Sequence, residues 1–159
     1  MYRLRITLDT AYPGIIDEAV CAIRDVRGRD AHIVKCETAC VQVCSYWKAW
    51  PCLFPQHGAG KKHERQLYLE SWQAALVDRW PGQLLRGLIH SDGCRFQSTG
   101  RKWSWPRYSF YNRSDDIRAI FCRACQRLGI HWTTSGLYTV YVSRKADVAT
   151  LDAFIGPKG

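Results

Sequence analysis

A single acidic residue ends the most hydrophobic helix-like run of the sequence. Residues 85–96 read LRGLIHSDGCRF, in which an apolar stretch stops at Asp92 and Gly93 before a strand-like Arg-Phe. A carboxylate at a helix C-terminus faces the negative end of the helix dipole, which is unfavourable unless a cation neutralises it. Because Mg²⁺ prefers carboxylate oxygens, Asp92 is a candidate for metal-assisted phosphodiester chemistry. The alternative is that Asp92 caps the turn before Gly93 and has no chemical role.

The helix that carries this acid, predicted over residues 84–93, has one face of small residues. Gly87 and Ser91 are four residues apart and therefore lie on the same side of the helix. Small residues allow a second helix to approach closely, and the flanking leucines would seal the contact. The pattern predicts a helix that pairs with a like partner and presents its acid at the tip.

The charge of the chain favours an anionic partner. The formal net charge is +9 and the sequence pI is near 9.3. Nucleic acid is favoured over a membrane because the sequence shows no basic amphipathic helix and no long apolar segment. Residues 1–83 carry 11 Lys and Arg against 9 Asp and Glu, whereas residues 84–159 carry 12 against 5. The anion-binding surface is therefore expected mainly in the second half.

The length and composition predict one folded domain of 159 residues. Hydrophobic residues make up 47% of the chain, which is ample for a packed interior and excludes a disordered protein. No secretory leader follows Met1, so we expect a cytoplasmic protein, associated with the nucleoid if bacterial, and eight reduced cysteines.

Two halves of the sequence repeat the same order of predicted elements. Residues 3–9 and 106–112 alternate as half-buried strands, and each is followed by a helical pattern, a hairpin and a tail. The second copy also has the 84–93 helix and a strand CRFQ in front of it, with a turn at 98–100. The predicted division is a partial first repeat (1–57), a basic loop and connecting helix ended by Pro81 and Gly82 (58–83), and a complete second repeat (84–159).

Six of the nine positions of the LAGLIDADG motif are matched, by Leu85, Gly87, Leu88, Ile89, Asp92 and Gly93. The chain therefore resembles the LAGLIDADG homing endonuclease family. It departs from the motif at Arg86, His90 and Ser91. The resemblance implies an α+β fold of two pseudo-symmetric αββαββα repeats, the first incomplete, whose antiparallel sheets form a basic saddle on double-stranded DNA.

The same resemblance implies a catalytic role for Asp92. In the family, two paired motifs each supply one acid to Mg²⁺, and the residue after the acid can assist through its backbone carbonyl, here Gly93. The second acid is expected from another copy of the chain, in a homodimer, or from sequence that precedes Met1. Without that acid we expect DNA binding but no cleavage.

Outward-facing and loop residues are the predicted DNA contacts. Strand residues should read base edges in the major groove, while basic loop residues hold phosphates. The predicted strand contacts are Arg3, Arg5, Thr7, Arg95, Gln97, Arg107, Ser109 and Tyr111. The predicted phosphate contacts are Lys61, Lys62, Arg101 and Lys102, and Lys158 is either a basic group near the scissile phosphate or part of an idle tail.

Two other functions compete with an endonuclease. The first is a catalytically inactive transcriptional regulator that uses the same surface to recognise an operator. The second is a zinc-stabilised interaction domain built on Cys40, Cys44, His57 and His63, whose spacing fits a zinc finger. Proline and glycine residues interrupt the stretch that would have to be the finger's helix, so the sequence argues against zinc.

Overall fold

The computed structural model describes residues 1–158, with Lys62 described by its backbone alone. The fold is α+β, as predicted, with two antiparallel sheets and six α-helices within the described residues. The chain divides into two compact units, one of residues 1–57 with the segment that begins at Pro157, the other of residues 58–156. None of the described helices has the length and apolar character needed to cross a membrane.

The first unit is a three-stranded sheet with two helices. Its elements are β1 (Tyr2–Asp9), α1 (Pro13–Arg27), β2 (His32–Lys35), β3 (Cys40–Trp47) and α2 (Trp50–Leu53). The strand order is β1-β3-β2, and every pairing is antiparallel. The alternation predicted for residues 3–9 is confirmed, because β1 alternates between half-buried and exposed side chains along its length.

The second unit is a four-stranded sheet covered by helices. After a short 3-10 turn (Lys62–Glu64), its elements are α3 (Ser71–Arg79), α4 (Pro81–Asp92), β4 (Gly93–Gly100), β5 (Trp103–Tyr111), α5 (Asp115–Arg127), β6 (Thr133–Ser135), β7 (Thr139–Val142) and α6 (Lys145–Ile155). The strand order is β4-β5-β7-β6, again antiparallel throughout.

The order of elements in the first unit, from β1 onward, is repeated in the second unit from β5 onward. The series β1, α1, β2, β3, α2 corresponds to β5, α5, β6, β7, α6, and the sheet orders β1-β3-β2 and β5-β7-β6 correspond as well. The second unit has α4 and β4 in front of this series. The internal duplication expected from the sequence is therefore present in the topology.

The connecting helix α3 ends at Arg79, before Pro81, as predicted, but two other boundaries differ from the prediction. Helix α4 begins at Pro81 rather than at residue 84, and Pro81 occupies its first turn, where its missing N–H is not needed. The turn expected at residues 98–100 is instead part of β4, which continues to Gly100, and Arg101 and Lys102 form the turn to β5. The longer hairpin changes which strand residues share a face.

The hydrophobic core of the second unit lies between its sheet and helices. Thirteen buried side chains form one cluster, to which α4 contributes Leu85 and Ile89. Phe110 of β5 and Phe121 of α5 stack at its centre, with ring centroids 4.4 Å apart. The core of the first unit has three buried members, Ile23, Val43 and Trp50, with half-buried residues around them.

Candidate nucleic-acid interface

Helix α4 holds Asp92 at its C-terminal tip, outside the hydrophobic core. Leu85 and Ile89 are one turn apart and buried, so the helix is fixed to the core along that face. The Nε of Arg86 donates to the carbonyl oxygen of Ile155 at 3.1 Å, and this hydrogen bond connects α4 to the end of α6. Asp92 itself is exposed. The predicted position of an accessible carboxylate at the end of an apolar helix is present in the structure.

The junction between α4 and β4 contains no loop residue, since the helix ends at Asp92 and the strand begins at Gly93. A Cβ on Gly93 would lie 2.8 Å from the carbonyl oxygen of Ser109 and 2.9 Å from the Cα of Ile89. Only glycine allows the helix end and the neighbouring strand to approach this closely. Gly93 therefore has a structural reason to be glycine, independent of any metal.

Asn112 holds the carboxylate of Asp92, and the sequence did not single it out. Its Nδ2 donates to Oδ2 of Asp92 at 2.9 Å, while its Oδ1 accepts from the backbone N–H of Ser114 at 2.9 Å. Asn112 is only 6% exposed. The one available signal was an asparagine directly after a strand and before the Ser114 cap of α5. A donor at this point offsets part of the cost of an anion at a helix C-terminus.

The strand register divides the predicted contacts of the second unit between two faces of the sheet. Tyr108 and Phe110 point into the core, and Arg95 is the cross-strand partner of Tyr108. Cross-strand partners lie on the same side of a sheet, so Arg95 lies on the helix-covered face, and Gln97, two residues on, shares it. The prediction that Arg95 and Gln97 face outward beside Arg107 is wrong.

We call the opposite side of this sheet the open face. Arg107, Ser109 and Tyr111 lie on it, as predicted. Pairing places Cys94 beside Ser109, with their Sγ and Oγ atoms 3.2 Å apart, and Phe96 beside Arg107. The full set on β4, β5, β6 and β7 is Cys94, Phe96, Ser98, Trp103, Trp105, Arg107, Ser109, Tyr111, Thr133, Ser135, Thr139 and Tyr141.

On the helix-covered face, Arg95 is part of a charged cluster with α6. Its Nε and Nη2 donate to the two carboxylate oxygens of Asp152 at 2.7 and 2.9 Å, and the Tyr108 hydroxyl donates to Oδ1 at 2.6 Å. The hydrogen bonds from Arg95 lower the pKa of Asp152. Burial, with the Asp152 carboxylate beside it, raises the pKa of Tyr108. This arrangement fixes α6 to the sheet and occupies the guanidinium that was predicted to read bases.

In the first unit, the predicted contacts Arg3, Arg5 and Thr7 are exposed along β1. Their cross-strand partners on β3 are Tyr46, Cys44 and Gln42 respectively. The half-buried Leu4, Ile6 and Leu8 pack against the core from the other face. The structure therefore bears out the predicted orientation of these three residues.

The basic loop residues are divided between a surface segment and the β4–β5 turn. Lys61 is exposed and lies 3.4 Å from the carboxylate of Glu64, while the side chain of Lys62 lies outside the described part of the chain. Arg101 and Lys102 are exposed at the turn. Lys158 belongs to the first unit, and its Nζ lies 5.6 Å from the ring centroid of Tyr12.

The predicted helix-pairing residues Gly87 and Ser91 are exposed on α4. A Cβ on Gly87 would meet no atom of the described chain within 4 Å. Ser91 donates its hydroxyl to the carbonyl of Leu88 at 3.0 Å. This face of α4 is accessible, but pairing with another helix stays a prediction.

Asp92 at the end of α4 can supply one ligand to Mg²⁺, but it does not form a complete binding site. Mg²⁺ is commonly bound by one or two carboxylates together with water and substrate phosphate oxygens. Asp92 supplies one exposed carboxylate, of which Oδ2 accepts from Asn112. Among the described residues, no group of three His, Cys, Asp or Glu side chains is arranged to hold a metal.

The cysteines of the zinc-finger spacing lie on one strand. Cys40 and Cys44 both belong to β3, where a separation of four residues spans about 13 Å. That distance is too long for both thiolates to bind one tetrahedral zinc ion.

Cys122 and Cys125 lie in α5, where burial raises the pKa of Cys125 to about 12 and also raises that of Cys122. Cys125 is buried and Cys122 is half-buried, so both thiols pack with the hydrophobic core of the second unit.

Solved structures with the same fold are LAGLIDADG homing endonucleases. The I-SmaMI LAGLIDADG homing endonuclease bound to cleaved DNA superimposes with a TM-score of 0.56 at 10% sequence identity, covering 97% of this chain and 72% of that chain. I-SmaMI bound to uncleaved DNA target in the presence of calcium ions gives a TM-score of 0.55 at 9% identity, covering 97% and 74%. No protein-family model and no curated protein sequence matches the chain. The likeness establishes the fold that the motif predicted.

Proposed function

We propose that this protein is a DNA-binding protein of the LAGLIDADG homing endonuclease type, which cleaves DNA only when a second acidic helix is supplied. The observation that carries the proposal is the position of Asp92. It is exposed at the tip of an apolar helix, at the end of the sheet where β5 finishes, and Asn112 orients it. The likeness to DNA-bound endonucleases supports the same interpretation.

The charge of the second unit supports DNA as the partner. None of the four strands β4 to β7 contains an Asp or Glu residue. The acids that lie behind the sheet are paired within the unit, Asp78 with Arg123 and Arg127, and Asp152 with Arg95. The open face therefore carries cationic and polar groups with no acid on its strands to repel phosphate.

If Mg²⁺ binds at Asp92, it supplies a Lewis acid that activates water and stabilises the leaving oxygen. The chain's own residues then perform three tasks. Asp92 provides one carboxylate ligand, Asn112 keeps that carboxylate in one orientation, and Arg107 with Ser109 contacts the nucleic acid on the open face. The second carboxylate is proposed to come from the α4 of a second copy, through the exposed Gly87 and Ser91, or from sequence preceding Met1.

Duplex binding is tested with two arginines on opposite faces of the sheet. Arg107→Ala removes a cation from the open face, and we expect affinity for duplex DNA to fall several-fold, with the salt slope reduced by about 0.9. Arg95→Ala is the matched control on the helix-covered face and should change affinity by less than about twofold. Fluorescence anisotropy with a selected duplex measures both. A larger loss for Arg95→Ala would overturn the assignment of the open face.

Cleavage is tested by Mg²⁺-dependent nicking of the same duplex, with Asp92→Asn as the control. Nicking that is lost in Asp92→Asn supports Asp92 as a metal ligand. Persistent binding without nicking by either protein favours the alternative, a transcriptional regulator without catalytic activity. The single carboxylate at α4 is the observation that keeps this alternative open.

Sedimentation of the protein at micromolar concentration shows whether a homodimer brings two Asp92 side chains into one assembly.

A further inference from the structure

The tip of the β4–β5 hairpin presents two stacked indole rings to solvent. Trp103 and Trp105 are alternate residues of β5, so both lie on the open face. Their ring centroids are 6.3 Å apart and their planes differ by 15°. Trp103 is 45% exposed and Trp105 is 57% exposed. More than half of the Trp105 surface is therefore open to solvent.

Further flat groups continue this surface along the sheet. The guanidinium of Arg107 lies 4.5 Å from the ring centroid of Tyr141, and its Nε donates to the hydroxyl of Ser143 at 2.9 Å. The Phe96 ring lies 6.4 Å from the same tyrosine ring. Tyr111, at the end of β5, is 52% exposed. Rings and a planar cation therefore follow one another from the hairpin turn to the last residue of β5.

Such a surface is suited to the faces of nucleobases rather than to their edges. In a duplex the base faces are stacked on each other, and only edges and phosphates are accessible to a protein. Unpaired bases expose their faces, and proteins bind them by stacking on aromatic rings and on arginine planes in a positively charged setting. The exposed Arg101 and Lys102 at the turn, with the acid-free strands, provide that setting.

We propose that the open face is a stacking platform for unpaired nucleobases, with Trp103 and Trp105 as its anchors and Arg101, Lys102 and Arg107 binding the phosphates. The ligand is a single-stranded segment of nucleic acid, either a separate strand or a strand displaced from a duplex. This goes beyond the proposed duplex binding and does not depend on cleavage. An aromatic patch with arginine also suits a protein partner, but an acid-free cationic rim is better matched to a phosphate backbone.

The experiment measures binding of the full chain to labelled oligothymidylate and oligouridylate of about 12 nucleotides, by fluorescence anisotropy. Trp105→Ala should weaken binding at least about fivefold, and Trp105→Phe should recover most of it, because a ring is retained. Trp72→Ala is the matched control, since Trp72 on α3 is also 45% exposed but lies away from the sheet. It should change the affinity by less than about twofold.

Salt separates stacking from charge in this assay. The ionic part of single-strand binding weakens as salt rises, whereas the loss caused by Trp105→Ala should keep the same ratio at each salt concentration. Preference for one of the two homopolymers shows whether the strand is DNA or RNA. Circular dichroism of each variant establishes that it is folded before its affinity is compared.

The outcomes distinguish this inference from the proposed function. Duplex binding without single-strand binding, or single-strand binding that is equal in wild type, Trp105→Ala and Trp72→Ala, overturns the platform and leaves the proposed function intact. Single-strand binding that depends on Trp105, without duplex binding, supports the platform and overturns duplex recognition. Failure to bind either ligand overturns both.

Discussion

The two units share one order of elements but build their interiors differently. In residues 58–156, thirteen buried side chains form the core, and α4 contributes two of them, Leu85 and Ile89. In residues 1–57, the core cluster has three buried residues surrounded by half-buried ones, and no described element of this unit corresponds to α4. The difference shows that α4 has two tasks, because the helix that presents Asp92 also completes the core of its own unit.

The comparison predicts unequal costs for the same substitution in the two cores. Leu85→Ala removes a fully buried side chain of α4 and should lower the free energy of unfolding by about 2–5 kcal/mol. Leu8→Ala removes a half-buried leucine of β1 and should cost about 1–2 kcal/mol, since part of its surface already contacts water. Urea denaturation of both variants measures the difference. Equal losses of unfolding free energy would show that the two cores are equally well packed at these positions.

Alanine substitution of two glycines, one in α4 and one at its junction with β4, should change the stability of the protein in opposite directions. Gly93→Ala places a Cβ against backbone atoms of Ser109 and Ile89 and should cost about 1–3 kcal/mol. Gly87→Ala adds a Cβ in open space within a helix and should stabilise the protein by about 0.5–1 kcal/mol. Thermal unfolding distinguishes them. Destabilisation by Gly87→Ala at concentrations where the protein self-associates would indicate that another helix packs on this face.

A polar residue lies at the end of the corresponding strand in each unit, and only Asn112 contacts the carboxylate of Asp92. Asn112 accepts from the N–H two residues on and also donates to Asp92, so Asn112→Ala should cost about 1–2 kcal/mol. Asp9, the last residue of β1, accepts from the N–H of Ala11 at 2.9 Å and is exposed. Asp9→Ala should therefore cost about 0.5 kcal/mol. Calorimetry of the two variants measures both stability losses. Equal losses would argue that the hydrogen bond from Asn112 to Asp92 does not contribute to stability.

The smallest expected effect concerns pH. Arg95 lowers the pKa of Asp152 below its ordinary value of 3.8, so their interaction stabilises the folded state above about pH 4 and is lost as pH falls through the lowered pKa. Both side chains are partly exposed, so Arg95→Gln should cost about 1 kcal/mol or less at pH 7. The free energies of unfolding of wild type and variant should converge as the pH falls below the lowered pKa of Asp152. A constant difference across this range would indicate a loss of packing instead.

Much of the fold was predictable because local signals agreed with the tertiary structure. The alternation predicted for residues 3–9 appears in β1, and the alternation predicted for residues 106–112 appears in β5. The position of Asp92 was also predictable, since the LAGLIDADG-like run fixes it relative to the buried leucine and isoleucine. These features depend on residues that are close together in the sequence.

The faces of β4 were not predictable, for a physical reason. The strand GCRFQSTG has no clear alternation of apolar and polar residues, so its orientation depends on the register with β5. A displacement of one residue transfers every side chain to the other face. The turn was expected at residues 98–100, and the true turn at Arg101 and Lys102 set a different register. Asn112 was missed because its partner lies 20 residues away, beyond any local pattern.

The direct connection of α4 to β4 bears on how a ligand would be bound at Asp92. With Asp92 as the last helical residue and Gly93 as the first strand residue, no flexible joint separates the carboxylate from two rigid elements. A group held in this way has little conformational entropy left to lose on binding. The same rigidity means that an insertion of even one residue at this point would rotate the acid away from Asn112 or displace the strand. The spacing between the two elements is therefore as restrictive a requirement as the identity of the acid.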